Sequence, residues 1–309
     1  MTNAQRQVVK RHLNLEAEEL GRLRENYARA LTRTRQRLRQ QMERIPTDAT
    51  AQTIAHRIGY ARAEERELLA ALRTLGDTTT VGIDEYLRDV YTNGYWGTNY
   101  SLNQDGIPVS LGVDHQRVLS AIQQPVDGYT FSQRIHGDVV RLAQRVRADI
   151  ALGYSTGLTF QQIAEQIALE MDMSLKRAYT IARTEGARVQ SVARNHAMVD
   201  AKLLGADIIK VWDATLDTKT RPEHGKLDGQ VAEVGSDFVI DGMRAQYPTG
   251  FGDPGMDINC RCIVLERSRH AVNYEKEHGR LGTRFDGVKG IRIPNVTYTE
   301  WLDRKTGST

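Results

Sequence analysis

Cysteine is nearly missing from this chain: among 309 residues there are two, Cys260 and Cys262, separated by one residue. A bridge at that spacing would close a small strained ring and constrain almost no chain entropy, so no disulfide framework holds the fold and a reducing compartment is expected. Long apolar runs are missing as well. No stretch approaches the roughly 18 to 20 uncharged apolar residues that span a bilayer, and Met1 to Lys10 is polar, without the apolar core of a signal peptide. Neither a membrane partner nor export is expected. An excess of one charge is lacking too, because 42 Lys and Arg face 39 Asp and Glu. The total therefore carries no argument for nucleic acid, and only the distribution of charge can. Internal repeats and low-complexity tracts are absent. What is present is 40% apolar residues, over a length that suits two domains of about 100–200 residues each, enough for a real core.

Apolar residues recur at helical spacing over most of the chain. From residue 4 to 45, Leu13, Leu20, Leu23, Tyr27, Leu31, Leu38, Met42 and Ile45 mark one helix face, and Pro46 stops it. Thr47 or Asp48 can cap a second helix with the stripe Ile54, Ile58, Ala61, Leu68 and Leu72, for which Gly76 is the expected stop. Tyr86, Tyr91, Tyr95, Trp96 and Tyr100 then crowd a segment that reads as packing or interface, followed by a turn at Asp105-Gly106-Ile107-Pro108. Three helices are expected next: one capped by Ser132 and ended by Gly157, one opened by the capping box Thr159 and Gln162, and one opened by Ser174 and ended near Gly205.

After Gly205 the period changes. Ile208 to Trp212, Val231 to Val234, Phe238 to Ile240 and Ile263 to Leu265 read as short strands, with Asp228-Gly229 and Asp241-Gly242 as hairpin turns. The spacing thus predicts a mainly α chain with a small C-terminal α+β module: a helical hairpin at 1–77, an aromatic-rich connecting segment at 78–130, a helical core at 131–205, the module at 206–268 and a C-terminal arm at 269–309. Within the arm, Ile291-Arg292-Ile293-Pro294 suits addition to a partner.

Charge is unevenly spread in the first helix. Arg22, Arg24, Arg29, Arg33, Arg35, Arg37, Arg39 and Arg44 have Glu25 and Glu43 as local counter-charges. Such a row is either a solvated face, its guanidinium stems covering apolar surface, or a surface for phosphates or an acidic protein ring, which Arg binds by paired hydrogen bonds. Arg29, Arg33, Arg35 and Arg37 are the candidate phosphate contacts.

The chemistry-bearing residues gather near the other end. Ala182-Arg183-Thr184-Glu185 is followed by Trp212, by Asp217-Thr218-Lys219-Thr220-Arg221-Pro222-Glu223-His224, by Asp228-Gly229-Gln230, and by Asn259-Cys260-Arg261-Cys262. This ordered set resembles the phage head morphogenesis family, the Mu F-like minor head proteins, over roughly residues 130 to 265. The residues that carry the resemblance are Arg183, Thr184, Glu185, Trp212, Asp217, Thr220, Arg221, His224, Asp228, Gly229, Asn259, Cys260, Arg261 and Cys262. Many members have Cys-x-x-Cys in the turn and His-Pro before Asn-Cys-Arg-Cys, where this chain has Arg221-Pro222-Glu223-His224 and Met256-Asp257-Ile258. The resemblance implies a minor head protein of a tailed phage or prophage, with the portal protein and the scaffold or major capsid protein as partners. It implies assembly in the host cytoplasm, a place inside the head at the portal vertex, and contact with packaged DNA during packaging or ejection. No enzyme activity and no small-molecule substrate are expected. Some relatives carry toxin domains after Asn-Cys-Arg-Cys, and the residues remaining here are fewer than a typical separate domain.

Cys260, Cys262 and His224 are three of the roughly four donors that zinc needs, with Asp217, Asp253 or Asp257 as a possible fourth. Cys-x-Cys on an extended segment puts both sulfurs on one side. Buried thiols beside a hydrogen-bonded histidine satisfy the same residues without an ion; this is the preferred reading, so no cofactor is expected and zinc is the alternative. Glu185 can pair with Arg188 one turn on, and Arg221 can satisfy carbonyls or pair with Asp213 or Asp228, leaving a loop stiffened by polar contacts. The runner-up function is a nuclease or toxin-like enzyme in which Glu223, His224 and Arg221 supply a base, an acid and a phosphate clamp. A free DNA-binding regulator is disfavoured, since no helix-turn-helix or finger spacing stands out.

Overall fold

The computed structural model describes residues 1–43, 51–126, 128–156, 158–278 and 302–303. The expected stop at Pro46, the cap at Thr47 or Asp48, Arg44, Gly157 and the Ile291–Pro294 piece lie outside them. Among the described residues are eight helices, α1 (Asn3–Met42), α2 (Ala51–Gln104), α3 (His115–Gln123), α4 (Phe131–Thr156), α5 (Phe160–Leu203), α6 (Pro222–Leu227), α7 (Pro254–Asp257) and α8 (Arg269–His278). Five short strands join them: β1 (Ile208–Asp213), β2 (Val231–Glu233), β3 (Phe238–Ile240), β4 (Met243–Ala245) and β5 (Ile263–Ser268). The chain is thus mainly helical with a small antiparallel module late in its length, as its periodicity predicts. No described helix is long and apolar enough to cross a membrane.

The chain divides into two compact units, and the long helices α1, α2 and α5 contribute to both. One unit comprises residues 17–85 and 128–182. Its core is the apolar stripe of each helix: Leu23, Tyr27 and Leu38 of α1, Leu72 and Ile83 of α2, Val139, Leu142 and Val146 of α4, and Ile163 and Ile167 of α5. Three expectations are corrected here. The second helix does not stop at Gly76 but runs on to Gln104, and the glycine faces Val139, from which an added Cβ would stand at the ordinary contact distance of 3.4 Å. Ser174 does not open a helix either. It is buried in the middle of α5, donating to Asp138 at 2.5 Å and lying 3.1 Å from the Tyr27 hydroxyl, so a sequence cap signal is spent on a buried polar contact. The N-terminus of α4 is capped by Thr130 rather than Ser132, through reciprocal bonds with Gln133 of 2.9 and 3.3 Å. The box of Thr159 and Gln162 closes the start of α5 as expected, at 2.9 and 3.3 Å.

The other unit comprises residues 1–16, 86–127 and 183–309. Here the tyrosine-rich part of α2 is core: Tyr86, Tyr91, Tyr95 and Tyr100 are buried. Tyr91 stacks on Tyr95 at 6.2 Å, and their hydroxyls meet His196 at 2.8 Å and Asp200 at 2.7 Å on α5. The aromatic segment is therefore a helix continuous with the preceding one, since four buried rings at helical spacing outweigh its glycines. Gly205, at φ +91°, follows α5, with Ala206 N bonded to Ala201 O at 3.0 Å.

The chain then enters the module. β1 is the middle strand of the order β2-β1-β5, antiparallel to both, with Val211 opposite Val231 and Leu265. β3 and β4 form a separate hairpin, turned by Asp241 and Gly242, both at positive φ. Asp228-Gly229 is not a two-residue hairpin turn. The intervening residues coil into α6, and the pair delivers the chain from that helix into β2 beside β1.

Candidate functional site

The site is built on the sheet of this module. Trp212, near the end of β1, is fully buried. Its indole meets the rings of Phe238 at 5.2 Å, Phe251 at 5.9 Å and His224 at 6.3 Å, the last edge-on at 85°. That apolar floor positions His224. The imidazole stands on α6, which starts at Pro222, a residue preset for the first helical position because it needs no N–H partner there. His224 Nδ1 faces both cysteines, 3.3 Å from Cys262 Sγ and 3.6 Å from Cys260 Sγ, and all three residues are buried. The Cys260 thiol is pushed up, first because it bonds to Cys262 and then by burial. The Cys262 thiol is pulled down, first by the bond from Cys260 and further by the His224 ring, against its own burial.

Backbone and side-chain bonds hold the segments that carry these donors. Arg221 spans from α6 to the cysteine segment, donating to the carbonyls of Ile258 at 2.5 Å and Met256 at 3.4 Å, the first of the two roles expected of it. Arg261 points outward and grips Asp217 through two bonds of 2.5 and 2.6 Å. The Asp217 carboxyl is held well below the usual carboxylate range by that grip, and next by the Lys219 backbone N–H. Thr220 bonds to Asp217 and to the Thr215 carbonyl, closing the turn. Asp228 accepts from Ala214 N at 2.8 Å, and Gly229, at φ +76°, donates to Trp212 O at 2.8 Å. Asn259 takes up φ +55°, and its N–H donates to the Thr184 hydroxyl at 3.1 Å.

Helix α5 thereby touches the cysteine segment through the middle residue of Arg183-Thr184-Glu185. Glu185 pairs with Arg188 at 2.7 Å, both buried, whereas Arg183 reaches Glu16 at 3.1 Å on α1. The structure therefore gathers His224, Cys260 and Cys262 into one cluster, with Trp212, Arg221, Asp228, Gly229 and Asn259 as its frame. Asp217 with Arg261 forms an exposed clasp beside it, and Arg183 and Glu185 face other partners. The three candidate carboxylates do not join the donors: Asp217 is held by Arg261, Asp253 caps α7 by accepting from Met256 N at 3.0 Å, and Asp257 accepts from Gly252 N at 2.8 Å. The nuclease arrangement is not assembled, because His224 is buried against sulfur and Arg221 is committed to carbonyls. Sequence reasoning missed the pocket over Arg188, bounded by Gln124, Tyr247, Gly252, Asp253 and Asp257. Its walls come from distant segments, and no local pattern announces it.

The arginines of α1 have more counter-charges than their own helix supplies. Arg22 lies 2.9 Å from Glu19 and 3.8 Å from Glu85, and Arg37 lies 3.8 Å from Glu67. Arg29 pairs with Glu25 at 3.6 Å. Arg24, Arg29, Arg33, Arg35, Arg37 and Arg39 are all exposed. At 3.6 residues per turn, Arg22, Arg29, Arg33 and Arg37 run along one side of the buried Leu23, Tyr27 and Leu38 stripe, and Arg24, Arg35 and Arg39 along the other.

The segment that carries this module and the helices before it matches a known protein family. The family model for phage Mu protein F like protein matches residues 144–265. The minor head protein GP7 of Bacillus phage SPP1 is 30% identical over 248 residues, 80% of this chain and 75% of that protein. The chain belongs to this phage Mu protein F like family, and its membership supports a role in phage head morphogenesis. An NAD(+)--arginine ADP-ribosyltransferase, EFV, of Enterococcus faecalis is 38% identical over 175 residues, 56% of this chain and 36% of that protein. An uncharacterized protein of Haemophilus influenzae is 34% identical over 176 residues, covering 55% and 35% of the two chains. The chain thus spans about a third of the length of these last two relatives. No solved structure matches. The expectation of a chain without enzyme activity is overturned by the transferase, a relative that shares more than half of this chain and carries an enzyme name. That expectation rested on the resemblance to minor head proteins and on reading Glu223, His224 and Arg221 as structural. A fold can host different activities, so a resemblance of this kind does not exclude one.

Proposed function

We propose that this chain is a minor head protein of a tailed phage or prophage. It joins the procapsid in the host cytoplasm by contact with the portal protein, lies near the scaffold or major capsid protein, and stays inside the head at the portal vertex. The observation that carries this reading is the 30% identity to a minor head protein over 80% of the chain. The exposed arginine rows of α1 support contact with packaged DNA, with Arg29, Arg33, Arg35 and Arg37 the proposed phosphate ligands. In the module, the clasp of Asp217 and Arg261 and the bonds of Arg221 and Asp228 stiffen a docking platform. Co-expression with the portal protein and pull-down at moderate salt should recover both chains together. Mass spectrometry that finds the chain in neither procapsids nor mature particles would refute the assignment.

A second reading is favoured by the transferase relative: the shared 175 residues belong to an enzyme, and this chain has a transferase activity of its own. Incubation of the purified chain with NAD and an arginine-rich protein tests it. Nicotinamide release above a heat-inactivated control supports this reading, and none at high enzyme concentration removes it.

A further inference from the structure

We propose that His224, Cys260 and Cys262 bind one zinc ion, with a solvent molecule in the remaining position. The argument rests on where three donor atoms stand. His224 Nδ1, Cys260 Sγ and Cys262 Sγ all lie within 4.8 Å of one another, and their residues are buried. In a tetrahedral site with zinc–sulfur bonds of about 2.3 Å and zinc–nitrogen bonds of about 2.0–2.1 Å, a sulfur and a nitrogen on the same ion are separated by about 3.5 Å. The two distances here, 3.3 and 3.6 Å, bracket that edge. Two thiols and an imidazole are also the donor chemistry that selects zinc over calcium, magnesium or manganese.

The donors come from two elements that the rest of the site already fixes. α6 carries the imidazole, the segment before β5 carries both thiols, and Arg221 ties the two together through the Ile258 and Met256 carbonyls. An ion bound there staples α6 to the strand that pairs with β1. Among the described residues no carboxylate joins the group, so these residues supply three ligands and leave a fourth position for water. Three-ligand sites of this kind exchange their ion more readily than closed four-ligand ones, so the metal is open to chelators. Plain thiol-to-imidazole hydrogen bonds fit the same distances, and metal titration distinguishes the two states.

The test uses the full chain, reduced and freed of metal, titrated with Zn²⁺ against a chromophoric chelator and separately with Co²⁺. One equivalent of zinc is expected, and cobalt should give the near-ultraviolet absorption of thiolate-to-metal charge transfer. Cys262→Ser should halve that absorption, and His224→Asn should weaken zinc binding by more than about 100-fold, a larger loss than removal of an outer-shell partner causes. Circular dichroism confirms that each variant is folded. The wild-type chain also gives an answer by itself: zinc should slow alkylation of both thiols, and chelator should restore the rate. A folded wild-type chain that retains no zinc, shows no cobalt–thiolate band and is alkylated equally fast in either condition would overturn the proposal.

Discussion

Single residues in this protein owe their behaviour to what stands opposite them, and Glu19 shows it. It lies on α1, buried, with Arg22 at 2.9 Å. Burial raises its pKa from 4.5 to about 7, with Arg22 opposing the shift and Glu85 adding to it. The folded state therefore holds a proton that the unfolded chain releases above its ordinary value. The resulting stabilisation is complete in acid below that ordinary value and is lost as pH rises through about 7. Glu19→Gln is expected to remove this decline. Between about pH 5 and 8 the melting temperature of the variant should fall less steeply than that of wild type, and stand a few degrees above it at the alkaline end. Equal slopes in both proteins would show that Glu19 is ionised throughout. Nothing in the local sequence marks this residue, because its neighbours along the chain are ordinary helix residues, and Glu85 arrives from 66 positions away. Cys260 and Cys262, by contrast, are legible as a pair, since they are the chain's whole supply of thiol.

At the scale of elements, the periodic stripes marked Leu23, Tyr27 and Leu38 correctly but not Leu13, which is exposed, and they were poor guides to helix ends. Leu23, Tyr27 and Leu38 are buried as the spacing requires, yet Gly76 and Ser174 interrupt nothing. A glycine can stop a helix or let another helix approach, and the choice is made by the facing element. Gly97 on α2 is the clearest case, because an added Cβ would stand 2.3 Å from Val8 Cγ1 of α1. Gly21 on α1 has nothing within 4 Å of that position. Alanine should therefore act oppositely at the two sites. Gly21→Ala is expected to stabilise by about 0.5–1 kcal/mol through helix propensity. Gly97→Ala is expected to be destabilising, because overpacking of about 1–3 kcal/mol exceeds that gain. Urea unfolding of both variants measures the difference, and stabilisation at Gly97 would mean that α1 and α2 are less closely packed.

The arginine rows of α1 belong to this scale too. If they bind DNA, affinity should fall steeply with salt, since each neutralised phosphate releases counterions and contributes roughly 0.9 to the slope of log affinity against log salt. Replacing Arg29, Arg33, Arg35 and Arg37 with Gln should flatten the slope by up to about 3–4. Retention of DNA that is indifferent to salt, or no retention at all, would identify the rows as a protein-facing or solvated surface. Arg29 and Arg37 are the weaker contributors to expect, because Glu25 and Glu67 stand 3.6 and 3.8 Å away.

For the whole molecule, the decisive comparison is between relatives that match different shares of this chain. A minor head protein shares 80% of this chain, whereas the transferase shares 56% of it within a much longer protein. The proposed place inside the head has a direct consequence for intact particles. Protease added to sealed heads should leave the chain whole, and protease added after the heads are opened should degrade it. Western blotting of both samples reads the outcome, and digestion in sealed heads would place the chain outside.

The sequence by itself determined the helical class, the switch to short strands after Gly205, and the membership of His224, Cys260 and Cys262 in one candidate site. These depend on local periodicity, turn chemistry and the scarcity of thiols, all of which are written along the chain. Tertiary structure alone decided the rest. It brought His224 to sulfurs 36 and 38 positions away, sent Asp217 to Arg261 instead of to the thiols, and bonded Asn259 to Thr184 across 75 residues. It also decided which glycines end helices and which let them touch. The physical reason is the same in each case: a hydrogen bond, an ion pair or a close contact depends on the distance between atoms, and the order of residues along a chain does not specify that distance.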